Sequence, residues 1–335
     1  MTSSALQQPP ETAPRPAIGI VIPTFNRVDK LLTCLRHLEA QTCKDFEVIV
    51  VDDGSTDRTP EALAAYAKDA PFHFRFFSQA NGGSALTRNT GIAHLTAPVC
   101  LLLGDDTYPQ PDFVRAHLEF HRTHPSPLDA AIGYTRWSER GQKVTRLMRW
   151  LESDGVQFLF RELLQGEPPT WRHFYTSNLS AKTELLRQHP FDEGFPCYGM
   201  EDIELGYRLT RQRGLRMTFL RDAINEHVHP ATFSQTCRRA EKVGIAMYQF
   251  EKLFPEERIA LGRGWKGKIV SFLTGHRWAL AAVTAVSRVL TAVWIPNPIL
   301  LPTIYLHQIV GYRHAARQAA AAQVSQQYPE QKPVC

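Results

Sequence analysis

Two short apolar runs that end abruptly in polar residues constrain the fold of this chain more than any other feature. Residues 18–27 read IGIVIPTFNR, and residues 46–57 read FEVIVVDDGSTD. Strands that are buried on both faces of a parallel sheet have such continuous runs of aliphatic and β-branched residues. Ligands of open α/β sheets bind at the carboxyl ends of the strands. The two runs therefore predict neighbouring strands that carry polar side chains to a ligand-binding sheet edge.

Segments with strand and helix periodicity alternate through the first half of the chain. This implies an α/β fold with a Rossmann-like, mostly parallel sheet flanked by helices. The predicted strands of this half cover residues 18–22, 47–51, 73–77, 99–103 and 130–134. Its predicted helices cover residues 28–40, 59–68, 83–94 and 111–122. Later in the chain, helices are predicted over residues 144–164, 201–214 and 233–253, and strands over residues 176–182 and 216–220.

The two ends of the chain differ from its middle in composition. Residues 1–17 are rich in proline and lack the apolar core of a signal peptide, so they predict a disordered tail. Residues 289–312 contain no Asp, Glu, Lys or Arg, but prolines interrupt them, whereas a membrane span needs about 20 apolar residues. We therefore predict a C-terminal helical extension and tail over residues 256–335. It would pack on the core or form a homodimer, with peripheral docking on an anionic membrane as a secondary function.

Composition and charge limit the classes of partner and compartment. With 335 residues, 43% of them hydrophobic, the chain can form one extended domain or two tightly packed ones. A net charge of +5 without a long basic run does not favour a nucleic-acid partner. The six cysteines show no CxxC motif, and Cys34 and Cys100 lie in apolar segments. These cysteines predict buried free thiols and a cytoplasmic protein. If the protein docks on a membrane, it would do so on the inner face.

A pair of acidic residues and a pair of histidines are candidate metal ligands. Asp105 and Asp106 follow the apolar run VCLLLG, and adjacent carboxylates at a strand end repel each other. A divalent cation such as Mg²⁺ or Mn²⁺ on a diphosphate would resolve this repulsion, although a helix-capping turn explains the pair equally well. His227 and His229 would face the same side of an extended segment. Either histidine could complete a metal site with Asp106.

Other polar residues at the same edge are candidates for binding a nucleotide. A carboxylate of Asp52 or Asp53 could accept hydrogen bonds from a nucleobase or a ribose, or could simply cap the next helix. Backbone N–H groups of Gly82 and Gly83 could approach a phosphate at a helix start, with a flexible loop as the alternative. Arg88 would point toward the same edge and add charge-assisted bonds.

Taken together, these motifs resemble the family 2 glycosyltransferases of the GT-A fold. The resemblance covers about residues 18–250, and the order and spacing of the motifs make it specific. The matching segments are IPTFNR, VIVVDDGSTD, the NGG…ALTRNTGI stretch, LLLGDDTYPQPDF, TSNLSAK, FDEGFPCYGMEDIELGYRL and EHVHP.

The resemblance implies an inverting enzyme that uses a nucleotide-diphospho-sugar donor and a divalent metal, Mn²⁺ or Mg²⁺. It assigns the catalytic base to Asp202, with Glu201 orienting the acceptor or supporting the base. It assigns the metal to Asp106 and to His227, with His229 as a second candidate. The candidate donor-binding residues are Pro23, Thr24, Asn26, Arg27, Asp52, Asp53, Gly82, Gly83, Arg88 and Asp105.

The resemblance also divides the chain into functional parts. Residues 18–135 would bind the nucleotide-sugar, and residues 136–255 would bind the acceptor and complete catalysis. Trp137, Trp150 and Trp171 are candidate acceptor-side residues, with burial in the core as the commoner role of a tryptophan. The acceptor would be a glycan or a lipid-linked glycan, as in polysaccharide biosynthesis.

The chain departs from the family pattern in one place and lacks one of its motifs. Gly104 stands at the first position of a strict D-x-D motif, which specifies the metal more weakly. The QxxRW motif of processive polysaccharide synthases is missing, so a pore-forming synthase is disfavoured.

Two other functions remain open from the sequence. A sugar-nucleotide nucleotidyltransferase shares the acidic sheet edge, but it would need a glycine-rich basic loop where residues 23–30 read PTFNRVDK. A non-catalytic nucleotide-sugar-binding protein would not need the base, yet both Asp106 and Asp202 are present.

Overall fold

The computed structural model describes residues 15–153, 158–195, 199–257, 264–293 and 297–327. Most of the predicted N-terminal tail lies outside the described residues. Residues 154–157, inside the predicted helix 144–164, and the last eight residues of the predicted C-terminal tail lie outside them as well.

Eight strands in the described part of the chain form one sheet. Their order across the sheet is β3-β2-β1-β4-β7-β6-β8-β5. The strands are β1 (Ile18–Thr24), β2 (Phe46–Asp52), β3 (His73–Ser78), β4 (Val99–Leu103), β5 (Thr107–Pro109), β6 (Asp129–Trp137), β7 (Asn178–Lys182) and β8 (Arg216–His227). This arrangement confirms the predicted α/β fold with a mostly parallel sheet.

The first four strands are parallel and bring their carboxyl ends to one edge. The register between β1 and β2 pairs Ile18 with Phe46 and ends with Thr24 opposite Asp52. The crossover helices are α1 (Val28–Glu39), α2 (Thr59–Tyr66) and α3 (Gly83–His94). The sequence therefore predicted correctly that the polar ends of the first two strands meet.

The second half of the chain continues the same sheet. Strand β7 is antiparallel to both β4 and β6, and β8 is parallel to β6. Strand β5 pairs antiparallel with β8, which places Thr107 opposite His227. This pairing brings the segment after Asp106 beside the two candidate histidines.

Strand β8 extends to His227, well beyond the predicted end at residue 220. Arg221 and Asp222 are exposed and break the apolar pattern, but the backbone pairing with β6 continues past them after a register shift. A prediction from hydrophobic periodicity ends a strand where exposed charges begin, so the strand was predicted too short.

Helices cover the sheet and lead to the C-terminal part. They are α4 (Phe113–Thr123), α5 (Arg146–Ser153), α6 (Phe160–Leu164), α7 (Thr183–Gln188), α8 (Glu201–Arg213) and α9 (Phe233–Leu253), with 3₁₀ turns at Trp171–His173 and Pro255–Glu257. The predicted helix over residues 144–164 contains the separate helices α5 and α6. Helix α8 ends at Gly214, whose φ of 74° is the left-handed conformation expected of a helix C-terminus.

Three further helices form the predicted C-terminal extension, namely α10 (Gly264–Gly275), α11 (Arg277–Val293) and α12 (Asn297–Gln327). Helix α12 crosses α9 at a close approach, because a Cβ atom on Gly244 would collide with the carbonyl oxygen of Gln308. A Cβ on Gly311 would likewise collide with the carbonyl oxygen of Glu241. None of the described helices combines the length and apolarity that crossing a bilayer requires.

Two apolar layers pack on opposite faces of the sheet. Val21 and Cys100 belong to one layer, whereas Ile20, Ile22 and Cys34 belong to the other, because successive strand residues point to opposite faces. Both cysteines are free and buried, as predicted, and burial raises the pKa of each thiol.

Candidate functional site

The acidic pair after β4 is buried and pairs with Thr24 at the end of β1 and with the more exposed Arg27 in the loop that follows. Asp105 and Asp106 are only 4% and 8% exposed. Nη1 of Arg27 lies 2.9 Å from Oδ1 of Asp105 and 3.0 Å from Oδ2 of Asp106. The Thr24 hydroxyl donates a hydrogen bond of 2.9 Å to Oδ2 of Asp105. The single guanidinium of Arg27 therefore forms an ion pair with both carboxylates.

The two carboxylates have different proton affinities. Burial and the neighbouring charge of Asp106 raise the pKa of Asp105 to about 6, although Arg27 opposes this shift. Burial alone would also raise the pKa of Asp106, but His227, His229 and Arg27 outweigh it and hold that pKa well below its usual range. Asp106 is therefore the more persistent anion of the pair.

Both predicted histidines face Asp106. Nε2 of His227 lies 3.3 Å from Oδ1 of Asp106, and Nδ1 of His229 lies 3.6 Å from Oδ2. The two imidazoles stack with centroids 5.7 Å apart, and Trp137 stacks on His227 at 5.2 Å. Nδ1 of each histidine is buried and makes no hydrogen bond within the described structure. The described residues contain no ready-made cluster of three or more His, Cys, Asp or Glu side chains that could hold a metal.

The loop after β2 is built around Asp53. Its Oδ1 accepts hydrogen bonds of 2.9 Å from the backbone N–H of Gly82 and from the Gln79 side chain. Its Oδ2 accepts a bond of 2.9 Å from the backbone N–H of Gly83. The N–H groups of Gly82 and Gly83, which were predicted to approach a phosphate, therefore donate to Asp53 in this structure. Asp52 is 1% exposed, and its Oδ1 accepts a bond of 3.0 Å from the backbone N–H of Ser55.

Asn26 joins the loops that follow β1 and β2. Its Oδ1 accepts hydrogen bonds from the backbone N–H groups of Thr56 at 2.7 Å and Asp57 at 3.2 Å. Its own N–H donates to the Ser55 hydroxyl at 2.8 Å. Asn26 has a φ of 53°, a conformation that Asn tolerates better than most residues. With the partly buried Pro23, it gives the candidate nucleoside-binding edge a defined shape.

The candidate base stands in the first turn of α8. Asp202 is partly exposed, and burial together with the charge of Glu201 raises its pKa to about 7, while Arg88 opposes the shift. The residue before the helix, Met200, has a φ of 79°, and a left-handed conformation at a non-glycine residue costs energy. This turn orients the first residues of α8.

Glu201 and Arg88 form a buried ion pair. Glu201 is 2% exposed, and its Oε1 accepts bonds from Nη1 of Arg88 at 2.9 Å and from the Ser84 hydroxyl at 2.8 Å. The guanidinium of Arg88 is 7% exposed and lies 5.5 Å from the Phe191 ring centroid. The expectation that Arg88 points to a phosphate at the sheet edge therefore differs from the structure, because a buried guanidinium needs a buried counter-charge.

The three tryptophans that the sequence assigned to an acceptor surface pack into the protein. Trp137 is 6% exposed and donates its indole N–H to the carbonyl of Met148 at 2.7 Å. Trp150 is 8% exposed within an apolar cluster, and Trp171 stacks on Phe250 at 5.6 Å. Trp137 and Trp150 therefore follow the alternative of burial for packing, which is the commoner role of a large ring.

The sequence did not single out a narrow slot beside His227. Its volume is only about 10 Å³, and its lining residues are Thr135, Arg136, Trp137, Glu152, Phe158, Phe160 and His227. Burial raises the pKa of Glu152, whose Oε1 lies 3.3 Å from the Tyr134 hydroxyl. A single acidic residue in a helical segment resembles a solvated surface residue, so no local pattern could have identified it.

A family model described as "Glycosyl transferase family 2" matches residues 19–188. A validoxylamine A glucosyltransferase of Streptomyces hygroscopicus subsp. jinggangensis is 32% identical over 258 residues, which cover 68% of this chain and 60% of that protein. An uncharacterized glycosyltransferase, YfnE, of Bacillus subtilis is 26% identical over 257 residues, covering 64% and 65%. The chain thus spans less than two thirds of the length of these relatives.

One solved structure resembles the whole described fold. It is the mannosyltransferase PcManGT from Pyrobaculum calidifontis, in complex with GDP-Man and Mn²⁺. The two chains align with a TM-score of 0.60 and 20% identity, over 93% of this chain and 91% of the other. At this identity the likeness concerns the fold.

Proposed function

Because the chain belongs to the family 2 glycosyltransferases and has their GT-A fold, we propose that it transfers a sugar from a nucleotide-diphospho-sugar to an acceptor hydroxyl with inversion. One observation carries this proposal. A connected polar cluster lies at the carboxyl edge of the sheet, and its members are Thr24, Arg27, Asp105, Asp106 and His227. A sheet edge of this kind suits a charged, phosphate-containing ligand.

In this proposal the donor's nucleoside lies along the loops after β1 and β2. The buried carboxylate of Asp52 can accept a hydrogen bond from a base or ribose, and an unpaired buried acceptor would discriminate against other ligands. Asn26 and Asp53 hold the two loops in place through their bonds to backbone N–H groups. The similar PcManGT was solved with GDP-Man, which supports a nucleotide-sugar as the donor class.

A divalent metal fits this edge as part of the donor complex. Asp106 offers carboxylate oxygens, and Nε2 of His227 and Nδ1 of His229 lie 3.3 and 3.6 Å from them. Carboxylate and imidazole are suitable ligands for Mn²⁺, but the protein donors are too few without the oxygens of the diphosphate. When bound, the metal would offset negative charge that develops on the leaving diphosphate.

Asp202 is the proposed base. Its carboxylate takes the proton of the acceptor hydroxyl as the acceptor oxygen bonds to the anomeric carbon and the bond from that carbon to the diphosphate breaks. A positioned base contributes about 10²- to 10⁴-fold, most effectively when its pKa lies near the working pH. The pKa of about 7 meets this condition. The buried Glu201–Arg88 pair holds the start of α8 in place, so Glu201 supports the base from the neighbouring position.

A donor screen tests this function. Purified protein is incubated with UDP-, GDP- and TDP-sugars, with and without Mn²⁺, and the released nucleoside diphosphate is measured. We expect release from a narrow set of donors, stimulated by the metal and abolished in Asp202→Asn. Release of pyrophosphate from a nucleoside triphosphate and a sugar phosphate would instead favour a nucleotidyltransferase. Tight donor binding without turnover under any acceptor condition would favour a binding protein.

A further inference from the structure

The C-terminal helices α10 and α11 expose a set of large apolar side chains that we call the apolar patch. Its members are Ile269, Phe272, Trp278, Val286 and Val289, which are 49%, 48%, 67%, 56% and 65% exposed. The rings of Phe272 and Trp278 meet edge to face at 5.9 Å, so the patch is continuous between the two helices. Scattered single apolar residues need no explanation, whereas a continuous group indicates an interaction site.

The patch occupies one side of α11. Trp278, Ala282, Val286 and Val289 recur at helical spacing, and all four are exposed. The opposite side is already partnered, because the Ser287 hydroxyl lies 2.8 Å from that of Thr303 in α12. The packing of α11 on the protein therefore leaves its apolar face uncovered.

The C-terminal part of the chain carries basic residues without acidic ones. Residues 258–329 contain no Asp or Glu and eight Lys or Arg residues, although the whole chain has a net charge of only +5. Those residues are Arg258, Arg263, Lys266, Lys268, Arg277, Arg288, Arg313 and Arg317. The rest of the chain is thus net negative. Arg277 and Arg288 are exposed on the same helix as the patch.

The start of α12 adds further exposed apolar side chains to this part of the chain. Leu300 belongs to one buried cluster with Phe233 at the start of α9. Ile299 and Leu301, on either side of Leu300, are 40% and 45% exposed. The exposed apolar residues of the C-terminal helices are therefore not confined to α10 and α11.

We propose that the apolar patch and its basic neighbours dock the protein on the surface of an anionic lipid bilayer. Helices with an apolar face and basic flanks lie in the bilayer interface, and each basic residue near an anionic surface adds about 1 kcal/mol. Tryptophan is enriched at this interface. A second copy of the chain is a poorer occupant, because a symmetric contact through the patch would bring the like charges of Arg277 and Arg288 from two copies together.

Vesicle co-sedimentation of the full chain tests this proposal. Vesicles of phosphatidylcholine with phosphatidylglycerol are compared with vesicles of phosphatidylcholine alone, at low and high salt. We expect binding to the anionic vesicles that declines as salt rises, and little binding to the neutral ones. The double variant Arg277→Gln with Arg288→Gln should weaken binding about 30-fold. Trp278→Ser with Val289→Ser should weaken it by about tenfold or more.

Two control variants match these changes outside the patch. Leu253→Ser replaces a 43% exposed apolar residue of α9, and Arg122→Gln replaces an exposed arginine of α4. Both should bind vesicles like the unmodified protein, and circular dichroism should show that every variant is folded. Binding is measured without substrates, so its failure leaves the glycosyltransferase function untouched.

Three results would overturn the proposal. The first is the lack of binding to anionic vesicles at low salt, and the second is binding that the patch variants do not change. The third is a dimer, measured by light scattering, that Trp278→Ser dissociates while vesicles do not bind, since the patch would then be covered by a second copy.

Discussion

At the scale of single residues, the first prediction concerns the candidate base Asp202. It is partly exposed, yet burial and the adjacent Glu201 raise its pKa to about 7. We expect Asp202→Asn to lower kcat by about 10²- to 10⁴-fold while nucleoside-diphosphate affinity stays within a few-fold. Steady-state kinetics and calorimetry measure the two quantities. The exposed Asp222→Asn serves as a control, and a kcat near that of the unmodified enzyme would remove Asp202 from the mechanism.

The same pKa shift predicts that Asp202→Asn, which lowers activity, raises stability at high pH. An unfolded aspartate has a pKa of about 3.9, so the fold disfavours the charged form of Asp202. Its favourable contribution is complete below pH 4 and is lost as the pH rises through 7. The free energy of unfolding of Asp202→Asn should therefore exceed that of the unmodified protein by about 1–3 kcal/mol at pH 8. At pH 4 the two values should differ little. Urea unfolding at the two pH values checks this, and equal stability at pH 8 would contradict it.

At the scale of elements, the crossing of α9 and α12 depends on two glycines. A side chain on Gly244 would meet the backbone of Gln308, so the two helices would have to separate. Gly244→Val should lower the free energy of unfolding by about 1–3 kcal/mol and make α12 more sensitive to proteolysis. Gly275→Ala, where a Cβ meets nothing within 4 Å, should change neither. Thermal unfolding and limited proteolysis measure both effects, and a stable, resistant Gly244→Val would contradict the close packing.

The elements also show where sequence patterns succeed. Helices α3 and α9 begin and end at the predicted residues, because capping and apolar spacing are local features. The insertion of β7 between β4 and β6, and the pairing of β5 with β8, depend on contacts between distant segments. The predicted proximity of His227 to Asp106 is present in the structure. The pairing of Arg88 with Glu201 was not predicted, because no local pattern links residues 113 positions apart.

At the scale of the whole molecule, the C-terminal helices are structural parts of the enzyme. Leu300 and Ile304 of α12 cover Phe233 and Cys237 of α9 in one buried cluster. Removal of residues 258–335 should expose this cluster and cause aggregation, whereas removal of residues 328–335 should not. The soluble fraction and size-exclusion profile of each truncated protein give the result. A soluble, monomeric form of the shorter protein would show that the cluster is dispensable.

The position of Arg27 has a consequence for the order in which ligands arrive. Its guanidinium lies 2.9 and 3.0 Å from the two carboxylates at which a divalent ion would act. A free ion must compete with a cation that is tethered beside the site, whereas an ion that arrives on a diphosphate brings oxygens that can pair with the displaced arginine. Binding should therefore be ordered, and the protein without donor should bind a divalent ion only weakly.

Calorimetric titration of Mn²⁺ into the protein without nucleotide tests this order. Arg27→Gln should bind Mn²⁺ about tenfold more tightly than the unmodified protein, because a competing charge is removed, and Arg27→Lys should resemble the unmodified protein. Identical Mn²⁺ affinities for all three proteins would mean that metal and donor arrive independently.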